Sequence, residues 1–174
     1  MLTRIRQVLS AFTAYINSKD KAFVGKYLTK AEQDLFWGMN LPDQRHSLNV
    51  AYTAIKLAEG SAIDRILLIK CALLHDVGKV KGDVSTLDKI ITVAAHMIAP
   101  EWAKNWGREG RGSKIDNLRH AFYIYFSHPA KSARFLLEAH SGQQVVSIVL
   151  QHHKTPAEQD PPELTILRDA DNLH

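Results

Sequence analysis

Apolar residues along this chain recur at steps of three and four, and no stretch of useful length alternates with period two, so the pattern predicts helices and no sheet. Leu2, Ile5, Val8, Leu9, Phe12 and Ile16 form one such stripe, the buried face of an amphipathic helix. Thr29, followed three places later by Glu32, reads as a capping box that opens a short helix carrying Leu35 and Phe36. Pro42 stands where proline is tolerated, in the first turn of a helix that runs through Leu48, Ala51, Ile55 and Leu57 and stops at Gly60. Ser61 is placed to cap the next segment, Ile63 to Leu74, which is apolar on most sides. A helix apolar all round belongs at the centre of a fold, and this one delivers His75 and Asp76 at its buried end.

Ser85 to about Ile98 predicts a further helix, ended by Pro100. The run GREGRGSK, residues 107–114, is glycine-rich and charged and reads as a mobile basic loop. Helical patterns resume from Ile115 to Phe126, Pro129 to Ala139 and Gln143 to His153, the last preceded by Ser141 and Gln144 at capping-box spacing. The proline-rich connection TPAEQDPPE then leads to a final segment, Leu164 to Leu173, and no internal repeat is present. The expected fold is all-α: a single compact helical domain over residues 1–174, with about seven to nine helices. Residues 1–41 are expected to pack as N-terminal helices on a motif-bearing part, 42–174.

Composition narrows the classes. A chain of 174 residues with 45% hydrophobic content can bury one core without staples. Its net charge is only +4, with acids scattered throughout and no basic block, which argues against nucleic acid as a partner. No run approaches the ~18 consecutive apolar residues of a membrane span. Cys71 is the only cysteine, so no intrachain disulfide can form, and a cytoplasmic location is expected. Trp37, Trp102 and Trp106 are read as packing residues.

The adjacent His75 and Asp76 offer an imidazole nitrogen and a carboxylate oxygen, ligand types that suit divalent iron, manganese, zinc or nickel, while a thiolate site would need cysteines the chain lacks. Any one histidine is more often a hydrogen-bonded core or surface residue. Here, however, His46, His128, His152, His153 and Asp171 are further candidate ligands, and His75, Asp76 and His152 all fall at the ends of very apolar runs. An unpaired charge is expensive there, and a coordinated one is compensated.

Three segments then carry a resemblance: RHSLNVA around His46, LLHDVGK around His75 and DADNLH around Asp171 resemble, in order and spacing, the signatures of the HD superfamily of metal-dependent phosphohydrolases. That resemblance implies that His46, His75, Asp76 and Asp171 hold a first divalent ion, with Asp171 rather than Asp169 as the final carboxylate. SHPAKSARFLL and VVSIVLQHH resemble the additional histidines of two-metal HD hydrolases. By that likeness Asp76 bridges both ions, His128 and His152 bind the second, and His153 is a further ligand or touches substrate phosphate. The glycine-tyrosine-proline run of the HD-GYP enzymes is missing after the paired histidines, so the likeness is to the two-metal subgroup and not to HD-GYP. The long insertion between Lys79 and His128 leaves His96 and His120 as alternatives to His128.

The resemblance implies hydrolysis of a phosphate ester, a nucleotide or another small phosphorylated metabolite, by metal-activated water, with Asp76 and Lys79 as catalytic residues. Two ions are expected, iron or manganese, with zinc, nickel and magnesium as alternatives. Lys79, separated from Asp76 by Val77 and Gly78, is placed to reach a bound phosphate. Arg108 and Arg111 on the glycine-rich loop are candidate substrate-binding cations on a lid. Two rival readings remain: dinucleoside polyphosphate hydrolysis on the same fold, and a non-catalytic HD-like regulatory or binding domain. Against the second, a scaffold without a reaction has no need for four converging ligands.

Overall fold

The most apolar stretch of the chain becomes the axis of the molecule. The computed structural model describes residues 14–174, and these form nine helices with one isolated bridge, between Met39 and Val80, and no strand. The helices are α1 (Ser18–Tyr27), α2 (Lys30–Trp37), α3 (Leu41–Leu57), α4 (Arg65–Leu74), α5 (Thr86–Ile98), α6 (Pro100–Trp106), α7 (Lys114–Glu138), α8 (Gln143–Gln151) and α9 (Pro162–Asn172). Leu68, Ile69, Cys71, Ala72, Leu73 and Leu74 of α4 are all buried, and α1, α2, α3, α8 and α9 pack around them. Helices α5 and α6 lean on α7 instead. No described helix is long and apolar enough to cross a membrane.

Two buried carboxylates pin the N-terminal helices to this axis. Asp20 completes the capping box of α1 with Asn17 and also accepts from Tyr52 Oη at 2.8 Å and from Arg45, the neighbour of His46 on α3. Glu32 completes the box of α2 with Thr29 and reaches Lys70 Nζ at 2.8 Å and Ser141 Oγ at 2.9 Å. Burial alone would raise both pKa values, but these partners hold both carboxyls below their ordinary range. Each is therefore a charged group whose hydrogen bonds join separate helices, which is the condition for burying a charge at tolerable cost.

The elements differ from the sequence expectation in five places. The stripe from Leu2 to Phe12 lies outside the described residues, and Ile16, its last member, precedes α1 rather than sitting in a helix. Asp64, not Ser61, caps α4, accepting from the amides of Ile66 and Leu67 at 3.0 Å each, because an Asp carboxylate one residue before the helix reaches both free amides. Pro100 does not merely end α5; it opens α6 in the first turn, where its missing N–H costs nothing. The two segments expected at 115–126 and 129–139 are one continuous helix, Lys114–Glu138, which passes through Pro129. Finally, α8 begins without a side-chain cap, because Gly142 and not Ser141 holds the cap position, and the Ser141 hydroxyl donates to Glu32 instead.

Candidate metal centre

Five helices and the turn that follows α4 bring the predicted ligands together. His46 comes from the middle of α3, His75 from the C-cap of α4, Asp76 from the turn beyond it, His128 from α7, His152 and His153 from the end of α8, and Asp171 from the last turn of α9. His46, His75 and Asp76 offer ligand atoms that all lie within 4.8 Å of one another, and so do His128, His152 and His153. Donor atoms about 2.0–2.2 Å from a shared cation are at most about 4.4 Å apart. Each trio therefore lies close to the spread that one shared cation requires.

Asp76 lies between the two trios and turns one oxygen to each. Its Oδ2 is 3.7 Å from His46 Nε2 and 3.5 Å from His75 Nε2, while Oδ1 is 3.2 Å from His128 Nε2. Asp171 Oδ1 joins the first trio, 3.0 Å from His46 Nε2 and 3.6 Å from His75 Nε2. The trios touch through their rings, with His75 and His152 centroids 5.1 Å apart and His128 and His152 5.5 Å apart.

The backbone fixes which nitrogen of each buried imidazole faces the cluster. His75 Nδ1 is 2.9 Å from Ala72 O, His128 Nδ1 is 2.7 Å from Tyr125 O, and His152 Nδ1 is 2.6 Å from Val149 O. A carbonyl can only accept, so Nδ1 carries a proton in all three, and Nε2 is the nitrogen turned to the cluster, a lone-pair donor whenever the ring is neutral. In every case the acceptor is three residues back, and the chain supplies that carbonyl by the same device. Ala72 and Val149 lie in the final turns of α4 and α8, where carbonyls lack an amide four residues ahead. Within α7 that amide is removed by Pro129, which has no N–H to offer Tyr125 O.

His75 Nε2, His128 Nε2, His152 Nε2 and Asp76 Oδ1 are buried and make no hydrogen bond among the described residues. A protein rarely leaves several acceptors facing one another without compensation, because each carries a desolvation cost of about 1–3 kcal/mol. Imidazole nitrogen and carboxylate oxygen are a donor set suited to borderline and hard divalent cations, and the residues present fit two such ions.

The electrostatics run the same way. Burial resists ionisation of Asp76, yet Lys79 and His75 hold its carboxyl well below the usual range, and His46 and His75 do the same for Asp171. Burial likewise resists charge on His75, but Asp76 and Asp171 push its pKa up to about 9. Burial pushes His128 and His152 down, so both stay neutral and able to donate a lone pair. His153 has an exposed edge, and desolvation of the rest of its ring together with His128 takes it down to about 4.

Lys79 reaches the cluster and has a partner there that the sequence did not suggest. Its Nζ is 2.7 Å from Asp76 Oδ2, where it serves as counter-ion to the buried carboxylate at the edge of the cluster. Gly78 is glycine because no side chain fits there. A Cβ there would lie 2.6 Å from His128 O, 2.8 Å from Ser132 N and 2.9 Å from Ser132 Oγ, and the Gly78 amide donates to that hydroxyl at 2.8 Å. The glycine lets the HDVGK turn press against α7 beside His128. This contact, Ser132 and Pro129 were not singled out by sequence reasoning; a proline directly after a histidine inside an apolar helix pattern was the available signal.

Arg108 and Arg111 line a cavity of ≈ 270 Å³ with Asp116 and Arg119, none of which belongs to the histidine cluster. The loop is tied down rather than free, through Arg108 N to Arg119 O at 3.1 Å and Gly110 N to His120 Nδ1 at 3.2 Å. His120 accepts at Nδ1 and so carries its proton on Nε2, the opposite tautomer to the three cluster histidines. His96 lies against the rings of Tyr125 and Phe126. His128, rather than either of them, meets the paired histidines. Asp169 is exposed and lines a second cavity of ≈ 250 Å³ that opens beside His152, His153 and Asp171.

With this geometry in place, comparison with known proteins gives one match: a family model described as HD domain covers residues 44–174. No curated protein and no solved structure gives a match.

Proposed function

Because the chain belongs to the HD domain family, whose members are generally metal-dependent phosphohydrolases, we propose that it hydrolyses a phosphate ester of a small metabolite, a nucleotide being the first candidate, with two divalent cations. The observation that supports this best is the double-faced placement of Asp76, with Oδ2 toward His46 and His75 and Oδ1 toward His128. His46, His75, Asp76 and Asp171 would hold the first cation, and Asp76, His128, His152 and His153 the second. Such ions supply a water of lowered pKa, about 7 rather than 15.7, and screen the charge of a phosphate that would repel it.

The chain's own residues then have defined tasks. The three backbone-locked imidazoles keep their lone pairs on the cluster without rearranging during the reaction, which is the preorganisation that electrostatic catalysis needs. Lys79 is the cation nearest the carboxylate that joins the two trios, and a substrate phosphate arriving there would compete with Asp76 for its ammonium. His153, Asp171 and the partly exposed His46 form the solvent side, so the ester enters past them, and the cavity of ≈ 250 Å³ beside His153 and Asp171 is where the group beyond the phosphate would rest. Iron and manganese suit these ligands, and both are expected to support turnover.

The test is a phosphate-release screen over nucleoside mono-, di- and triphosphates, dinucleoside polyphosphates and sugar phosphates, with Mn²⁺ or Fe²⁺ and with chelator. Release that needs metal and disappears in Asp76→Asn supports the reading. Metal-independent release, or full activity in Asp76→Asn, sinks it.

A further inference from the structure

Arg168 is largely buried on α9 and directs two of its three guanidinium nitrogens to the end of α8. Its Nη2 donates to Gln151 O at 2.9 Å and its Nε to His152 O at 3.2 Å. Those carbonyls belong to the two peptide groups on either side of the His152 α-carbon, so holding both fixes the backbone angles of that residue and the direction of its side chain. The remaining nitrogen, Nη1, donates to Asp160 Oδ2 at 2.5 Å, and the same oxygen accepts from Ala157 N at 2.8 Å. Asp160 thereby ties the proline-rich connection into the same knot and keeps the guanidinium plane aimed at α8. Arg168 and Asp171 are three residues apart on α9, a spacing that puts them on one face.

We propose that Arg168 is a positioning residue for the second cation: from one turn before Asp171 its planar fork grips both peptides flanking His152, and so sets the distance between the trio of His128, His152 and His153 and the trio around His46 and His75. A guanidinium is suited to this because it offers several donors in a rigid plane, whereas an ammonium is a point donor that cannot span two carbonyls and a carboxylate in fixed geometry. Its charge also suits the carbonyl-rich C-terminus of α8. The inference rests on the two-cation reading, and its test separates the two.

The test is Mn²⁺ binding to the full chain, measured as ions per chain at equilibrium and by electron paramagnetic resonance, where a coupled pair and an isolated ion give different spectra. The wild type is expected to bind two Mn²⁺ with a coupled signal. Arg168→Gln is expected to retain the first ion, lose affinity for the second by about 10–100-fold, and show the isolated-ion spectrum with helical circular dichroism intact. Arg168→Lys keeps the charge but not the fork and should fall between, and Asp160→Asn, which leaves the arginine in place without its anchor, should weaken the second ion by less than Arg168→Gln. Thr29→Ala, a cap lost far from the cluster, should lower the melting temperature and leave both ions and their coupling unchanged. Two coupled ions in Arg168→Lys and Asp160→Asn, at wild-type affinity, overturn the inference even if Arg168→Gln fails to fold. A wild type that binds fewer than two ions overturns the two-cation reading itself, and the inference with it.

Discussion

Gly78→Ala tests the packing that joins the HDVGK turn to α7. The added methyl would meet His128 O, Ser132 N and Ser132 Oγ at 2.6, 2.8 and 2.9 Å. An ordinary Cβ contact is about 3.4–4 Å, so the turn and α7 must separate by roughly 0.5–0.8 Å, and two of the three atoms met are backbone that cannot swing aside. Overpacking of this kind costs about 1–3 kcal/mol, and the Gly78 N to Ser132 Oγ bond, now 2.8 Å, is stretched or broken for about 1 kcal/mol more. The expected loss is about 2–4 kcal/mol from a total that is typically about 5–15 kcal/mol, or a fall in Tm of about 4–16 °C for a domain this size. The same separation carries His128 away from Asp76, so the second cation should be lost before the first. Thermal unfolding by circular dichroism and metal content per chain are the assays. Gly25→Ala is the matched control: nothing lies within 4 Å of its Cβ position and it is exposed within α1, so the same change should stabilise by about 0.5–1 kcal/mol. A Gly78→Ala protein with wild-type Tm and both ions would refute the reasoning.

Pro129→Ala returns an amide donor to Tyr125 O in competition with His128 Nδ1; the helix should be no less stable, because proline in a helix interior costs about 3 kcal/mol, while affinity for the second Mn²⁺ falls about tenfold or more by titration calorimetry. Asp20 and Glu32 have depressed pKa values in the folded state, so their stabilisation is present above their unfolded values of about 3.9 and 4.3 and is lost as pH falls through the folded ones. Urea midpoints of metal-free protein should drop between about pH 5 and pH 3, and the drop should shrink in Asp20→Asn; an equal drop would remove Asp20 from the explanation. His75 has its pKa pushed up to about 9, so below that pH binding of the first cation must expel a proton. Apparent affinity should therefore rise with pH between 6 and 8, by about tenfold per unit if one proton leaves, and a flat profile would contradict the cluster electrostatics. Asp64→Ala, which strips the cap of α4, should cost about 1 kcal/mol in urea unfolding.

The helices and the ligands were legible in the sequence for different reasons. Periodicity located α3 and α4, which bury most of their apolar positions, and α5, whose apolar residues recur at helical spacing although Leu87, Met97 and Ile98 stay exposed, and the Thr29–Glu32 box marked α2 to the residue. The predicted ligand residues are the ones the fold brings together, since a histidine or carboxylate at the end of an apolar run has few other ways to be compensated. What stayed hidden depends on partners distant in the chain. Nothing local says that Ser141 serves Glu32 rather than α8, or that Gly78 is small because α7 passes behind it. Pro129 misled for a related reason: a proline normally ends a helix, and here the carbonyl it deprives is taken up by an imidazole. Lys79 looked aimed at substrate, and only the fold reveals the carboxylate it neutralises.

The central claim is that Asp76 stands between two cations. Anomalous diffraction from crystals soaked in Mn²⁺ tests it most directly. Two peaks are expected, one at each oxygen of Asp76, the first bordered by His46, His75 and Asp171 and the second by His128, His152 and His153. A map with no peak beside Asp76, or with manganese bound elsewhere on the chain, would contradict it.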